Sequence, residues 1–214
     1  MKTTSISRQA ILDRVRKATG GAPDVAGRYS ELNRSYVRAG KLNAEERIAL
    51  MIERLREYDA EVVEAAPASL AQAIREQLTV SGRHRFVASA GLPAEWLAGG
   101  FEWKIDHGLS TEEIEQTEGV VTAAFCGIAD SGTIVLHHSA EEGRRIISLL
   151  PDWHLCVLRA SQVVETLPEY FARCPEAPAL ATYISGPSAT ADIEMTRIKG
   201  VHGPRFLNVV LVRD

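Results

Sequence analysis

Two stretches of the chain gather side chains able to hold a ligand or move a proton. The longer is Ile184-Ser-Gly-Pro-Ser-Ala-Thr-Ala-Asp-Ile-Glu194, followed closely by Gly200-Val-His-Gly-Pro204. It offers hydroxyls at Ser185, Ser188 and Thr190, carboxylates at Asp192 and Glu194, and an imidazole at His202. Gly186 and Pro187 make a stiff turn. Asp192 and His202 suit an acid–base pair or a hydrogen-bonded orienting pair, and are the candidates should this chain be catalytic. Ser188 or Thr190 suits the cap of a short helix whose N-terminus faces an anion. A plainer account also fits: Ser188 caps, Asp192 pairs with Arg197, and His202 is satisfied within a turn.

The shorter stretch is Asp130-Ser-Gly-Thr133. Gly132 permits a tight turn at positive φ and leaves backbone N–H groups open. With the Ser131 and Thr133 hydroxyls, such a turn can cradle a phosphate or carboxylate. Asp130 can accept a hydrogen bond from a ligand hydroxyl, or simply start a hairpin turn. The ligand-binding candidates are therefore Asp130, Ser131, Gly132, Thr133, Ser185, Gly186, Pro187, Ser188, Thr190, Asp192, Glu194 and His202.

Other chemistries lack a pattern. His137 and His138 are adjacent in an apparent strand and so point to opposite faces, which prevents them from sharing one metal ion. His84, His107 and His154 have no supporting constellation in the sequence. No metal site is expected. Three cysteines at wide spacing, Cys126, Cys156 and Cys174, give neither a disulfide framework nor a zinc or iron–sulfur motif. P-loop, dinucleotide-binding and Gly-x-Ser-x-Gly signatures are absent. The net charge is −4, with the basic residues dispersed, so nothing calls for nucleic acid. No apolar run approaches the roughly 18 residues of a membrane span. The N-terminus lacks the apolar core of a signal peptide, which implies a cytoplasmic protein.

The elements that must position these groups alternate. Residues 5–18 read as a short amphipathic helix, and 19–43 as an extended arm with little periodicity. Asn43-Ala-Glu-Glu46 is a capping box opening a helix in which Ile48, Met51, Ile52, Leu55 and Tyr58 recur at helical spacing. Strands are expected at 60–64 and 85–88, and a second box at Ser69 opens another helix. A short helix is expected over 93–98, then a strand over 101–105, then a third box at Ser110. Strand–helix alternation implies a parallel sheet covered by helices. Residues 119–129 form one long apolar run, joined through Asp130–Thr133 to a second strand as a hairpin. A helix from Ser161 is expected to restart after Thr166, because Pro168 is costly within a helix. Residues 179–184 and 206–212 read as buried strands flanking the long polar loop. The domains are 1–42, an N-terminal helix and arm, and 43–214, an α/β domain.

Four ordered motifs carry a family resemblance: Gly127-Ile-Ala-Asp-Ser-Gly-Thr-Ile-Val-Leu136, Ser148-Leu-Leu-Pro151 with His154, the Ser185–Glu194 loop, and Gly200–Pro204. Together they resemble the LUD domain, closely over about 120–212 and loosely over 43–119. The resemblance implies an open, mostly parallel α/β sheet flanked by helices, similar to the NagB, ribose-5-phosphate isomerase and CoA-transferase group. It implies a role in converting L-lactate to pyruvate beside partner subunits that carry iron–sulfur clusters. It implies no cofactor bound by this chain itself, and a small carboxylate- or phosphate-containing ligand. Two alternatives stand beside it: a self-sufficient isomerase or acyl-transferase acting on a small phosphorylated or carboxylated metabolite, and a non-catalytic metabolite-sensing module. The chain departs from the family pattern twice. Asp130-Ser131-Gly132 replaces Glu-Thr-Gly, and Ala189 stands where the family often has a basic residue. Arg144, Arg145, Arg197 and Lys199 are the candidates to supply that charge instead.

Overall fold

The structure, a computed structural model, describes residues 3–20, 25–190, 198–200 and 202–214. Contacts divide the chain into two units, 1–36 and 37–214. The first holds helices α1 (Thr3–Ala18) and α2 (Val25–Glu31). α2 corrects the expectation of an extended arm over 19–43. At seven residues it is shorter than two full turns, too short to show a periodic signal.

The second unit begins with α3 (Ala44–Glu57), β1 (Glu61–Ala65), α4 (Leu70–Val80), β2 (Arg85–Ser89), β3 (Glu102–Asp106), α5 (Thr111–Glu115) and β4 (Gly119–Ala123). It continues with β5 (Cys126–Ile128), β6 (Thr133–Leu136), β7 (Trp153–Arg159), β8 (Val163–Val164) and α6 (Leu167–Arg173). β9 (Thr182–Ile184), β10 (Ala189–Thr190), β11 (Ile198–Lys199) and β12 (Phe206–Val212) complete it. Six strands form one sheet in the order β1-β12-β7-β4-β2-β3, and every pairing in it is parallel. A smaller sheet runs β8-β5-β6-β9, and β10 pairs with β11.

Helix signals in the sequence fix three caps. Asn43, Ser110 and Thr166 each close a capping box with the glutamate three residues on. α3 then buries Ile48, Met51, Ile52 and Leu55 against Cys156 and Leu158 of β7 and Leu207, Val209 and Leu211 of β12. Residues Ile134 and Leu136 of the small sheet join the same cluster. The alternate residues of β7, Trp153, Leu155 and Val157, face the other way, toward Leu70, Ile74 and Leu78 of α4. His154 therefore points with Cys156 and Leu158 toward α3 and the small sheet.

Several local expectations fail for physical reasons. Ser69 makes no cap: its hydroxyl donates to Ala66 O at 3.1 Å, and a 3-10 turn over Pro67–Ser69 leads into α4 instead. Residues 94–96 are likewise one 3-10 turn. The helix expected from Ser161 is a 3-10 turn and β8, and the helix proper starts beyond Thr166 with Pro168 in its first turn. The run 119–129 is two strands in two sheets. The chain changes sheet at Ala124-Phe125, where Phe125 N donates to Val135 O at 2.9 Å. Both strands are fully buried, so the apolar pattern continues across the break. Residues 179–184 give only the three-residue β9, half-exposed because it is the edge of the small sheet. β6 ends at Leu136, and His138 has φ 59°, so the two histidines do not continue the strand.

Candidate functional site

A cavity of about 240 Å³ lies where β9, the turn after it and the approach to β12 meet the face of the large sheet. Ser185, Gly186, Pro187, Ser188 and His202 line it, together with Arg145, Ser148 and His154. The two residues that the large sheet contributes, His154 and Leu207, are direct neighbours in the β7–β12 pairing and the second residue of each strand. The site thus lies toward the amino-terminal ends of these strands. Open α/β sheets more commonly bind ligands at the carboxyl ends.

The long loop is held by Ser188. Its N–H donates to Pro204 O at 2.8 Å, its carbonyl accepts from Gly200 N at 2.9 Å, and its hydroxyl accepts from His202 N at 3.0 Å. Ser188 therefore closes the 185–204 loop as a clasp and caps no helix; β10 follows directly. Among the described residues nothing accepts its hydroxyl proton, which a ligand could take up. The His202 ring is exposed at the cavity rim. The Thr190 side chain, and Asp192, Glu194 and Arg197, lie outside the described residues.

The two polar turns meet but do not share the cavity. Thr133 Oγ1 lies 2.7 Å from Ser185 Oγ and 2.7 Å from Ser131 Oγ, a chain of three hydroxyls running between them. Asp130, Ser131, Gly132 and Thr133 are not among the cavity-lining residues. Asp130 N donates to Glu165 O at 3.0 Å, and Gly132, at φ 60°, is pressed against Arg54 and Leu55 of α3.

Arg145, Ser148 and His154 also line the cavity and bring polar groups that were not among the sequence candidates for binding. Arg145 Nη1 donates to Ser148 Oγ at 3.3 Å, and the buried Ser148 hydroxyl donates back to Arg145 O at 3.0 Å. Arg145 is half-buried, forms no ion pair among the described residues, and has its pKa lowered by that burial. Of the basic residues named as replacements at Ala189, Arg145 lines the cavity beside Ala189 itself. Arg144 is committed elsewhere, to Asp106 by two nitrogens and to Leu109 O. That contact, ahead of the opposing burial, lowers the Asp106 pKa. The side chains of Arg197 and Lys199 are not described.

His154 corrects the view that it lacks a constellation. It is 1% exposed, and its Nε2 lies 2.8 Å from Thr122 Oγ1 on β4. Burial first, and then the Arg145 charge, push its pKa down to about 4, so the ring is neutral near pH 7. A signal for it was present: a lone imidazole in the run Trp153-His-Leu-Cys-Val-Leu158 demands a buried partner. Burial also raises the thiols of Cys126 to about 11 and Cys156 to about 12, consistent with small core residues. Among the described residues, no three His, Cys, Asp or Glu side chains gather to hold a metal ion. Nor is any helix there long and apolar enough to cross a membrane.

The site is thus a small cavity lined by cationic and hydroxylic donors, with no carboxylate among its described lining residues. It can hold a small anion.

Residues 48–212 match the LUD domain. The chain is similar to lactate utilization protein C of Deinococcus radiodurans, at 37% identity over 193 residues covering 88% of this chain and 90% of that protein. It is 28% identical over 194 residues to lactate utilization protein C of Bacillus subtilis, covering 80% of each. A crystal structure of a DUF162 family protein from Deinococcus radiodurans superposes with a TM-score of 0.67 at 33% identity, covering 80% of this chain and 99% of that one. Motif order, sheet architecture and these likenesses agree: the chain belongs to the LUD domain family.

Proposed function

We propose that this chain serves lactate utilization as a ligand-binding subunit that holds a small carboxylate in the Arg145 cavity. Its partners in that reading are proteins carrying iron–sulfur clusters. The observation that carries the ligand class is Arg145: a half-buried guanidinium at a donor-lined cavity, with no anion paired to it among the described residues. An unpaired, partly desolvated cation is costly, and a ligand carboxylate offsets that cost. The names of the relatives supply the pathway.

Titration calorimetry on the whole chain with L-lactate, pyruvate and acetate is expected to show binding. Arg145→Gln is expected to weaken it by about tenfold to a hundredfold, the range for a charged hydrogen bond. Undiminished affinity in that variant sinks the site. Pathway and partners are tested in cells. Loss of the gene should impair growth on L-lactate, and the tagged chain should co-purify with cysteine-rich proteins containing iron and sulfide. Turnover of a phosphorylated or acylated metabolite by the chain alone would favour the isomerase or acyl-transferase reading instead.

A further inference from the structure

Arg47 Nε is the one enclosed side-chain nitrogen or oxygen without a hydrogen-bond partner among the described residues. An N–H left in that state costs free energy, and a bound ion is one of the few reasons a native protein keeps it. The rest of the side chain is unpartnered too, with no ion pair or hydrogen bond among the described residues. Its two terminal nitrogens are therefore open to solvent, since only Nε is enclosed. Arg47 is also the fourth residue of α3, close to a helix N-terminus, where the helix dipole disfavours a cation.

A second guanidinium stands at the same place. Arg47 borders a cleft of about 220 Å³ completed by Val164, Glu169, Ala172 and Arg173. Arg173, in the last turn of α6, donates from Nη1 to Gln162 O at 3.1 Å and to Ser161 O at 3.4 Å, and pairs with no carboxylate among the described residues. The carboxylate in the cleft, Glu169, is already engaged. Its Oε1 accepts from Gly40 N at 3.0 Å, and its Oε2 from Glu165 N at 2.8 Å and Thr166 N at 2.9 Å. Three N–H groups thus offset its charge. The two acids before Arg47 in sequence are engaged as well: Glu45 pairs with Arg213, and Glu46 accepts from Asn43 N. Two cations face one cleft, and no described acid neutralises either.

We propose that this cleft is an anion site, separate from the Arg145 cavity, in which Arg47 and Arg173 together hold a phosphate group. The two sites share no lining residue. Charge selects the ligand class. A phosphate group carries about −1.5 to −2 at neutral pH and balances two guanidiniums, whereas a monocarboxylate balances one. Its oxygens also suit the planar donor fork of arginine. Free inorganic phosphate and the phosphoryl group of a metabolite present this same chemistry.

The test is calorimetry on the whole chain at low ionic strength, with inorganic phosphate and glycerol 3-phosphate as probes. Both are expected to bind, and the tighter of the two identifies the source of the phosphate. Arg47→Gln should weaken binding by about tenfold to a hundredfold, the range for a charged hydrogen bond. Arg173→Gln, at an exposed position, should weaken it by about twofold to fivefold. Arg47→Lys keeps the charge and removes the orphaned N–H, so it should bind phosphate more tightly than Arg47→Gln. Phosphate should move the amide NMR signals of residues 40–47 and 169–173. Failure of both probes to bind overturns the proposal, as does a folded Arg47→Gln protein with undiminished phosphate affinity. Signals that move only in the Ser185–Ser188 turn also overturn it, because phosphate would then occupy the Arg145 cavity. If Arg47→Gln does not fold, Arg173→Gln decides: undiminished affinity in that variant overturns the site.

Discussion

The two polar turns look alike in sequence and do different work. Each places a glycine at positive φ, Gly132 at 60° and Gly186 at 82°, beside serine hydroxyls, and they touch through Thr133 and Ser185. The Asp130–Thr133 turn is pressed onto α3. A methyl group at Gly132 would fall 2.7 Å from Arg54 Cβ and 2.9 Å from its carbonyl carbon. The Ser185–Ser188 turn has a similar backing, since a methyl at Gly186 would meet Tyr58 Cβ at 2.5 Å, but it also lines the cavity. Turn chemistry dictates the backbone path. What the fold sets against the turn decides whether any polar group is left over for a ligand.

The sharpest way to break that comparison is to damage each backing equally. Gly132→Ala and Gly186→Ala each combine a left-handed backbone with a clash against main chain, and each should cost about 3 kcal/mol or more in urea unfolding. Only Gly186→Ala should also weaken carboxylate binding by the folded protein. If Gly132→Ala weakens binding as much, the first turn belongs to the site after all.

Acid should also set the cavity side apart. His154 titrates at about 4 in the folded chain against an ordinary value of 6.5. A depressed histidine pKa means that the unfolded chain takes up a proton first. Its contribution is complete above pH 6.5 and is lost as pH falls from 6.5 toward 4. The interval corresponds to about 3 kcal/mol at most. Urea midpoints measured between pH 7 and 4 should fall more steeply for the unaltered protein than for His154→Gln. Equal slopes would mean that His154 is less buried than this fold requires.

Much of this organisation was legible in the residues. Capping boxes at Asn43 and Ser110 marked two helices because each is a local, self-contained hydrogen-bond pattern, and Pro168 marked the restart after Thr166. Strand–helix alternation gave the parallel sheet. The partition of 119–129 between two sheets was not legible, because burial on both faces erases the period that would mark the break. The cavity was half legible. Ser185 to Ser188 and His202 stood out as a polar loop, whereas Arg145 and His154 come from segments 40 and 31 residues before Ser185 and meet it only at the cavity. A long-range pairing of that kind leaves no local pattern. The family resemblance had named Arg145 as a candidate source of charge and Ser148 with His154 as a motif, and the imidazole in an apolar strand was a further clue.

A smaller effect separates Ser188 from the rest of its loop. Ser188→Ala removes the acceptor for His202 N at a half-buried position, and should cost about 1 kcal/mol of stability. It should also reduce carboxylate affinity severalfold, both by loosening the Gly200–Pro204 segment and by removing a donor. Hydrogen exchange at the His202 amide gives the direct measure: faster exchange in the variant places the clasp where the structure has it, and unchanged exchange removes it.

The smallest effect belongs to Ser131, at the outer end of the hydroxyl chain. Ser131 is exposed, and water can replace it as the partner of Thr133 Oγ1. Ser131→Ala should therefore change stability by no more than about 0.5 kcal/mol, and carboxylate affinity not measurably. The inner end is different, because Thr133 is 6% exposed and its hydroxyl touches both serines. Thr133→Val keeps the shape and removes both contacts, so Ser185 loses its anchor beside the cavity. Measured together, the two variants locate the boundary between the turns. A silent Ser131→Ala with a weakened Thr133→Val puts that boundary at Thr133, with the binding turn on one side and the packing turn on the other. A Ser131→Ala variant that itself loses carboxylate affinity would mean that the hydroxyl chain transmits to the cavity, and that the turns act as one site.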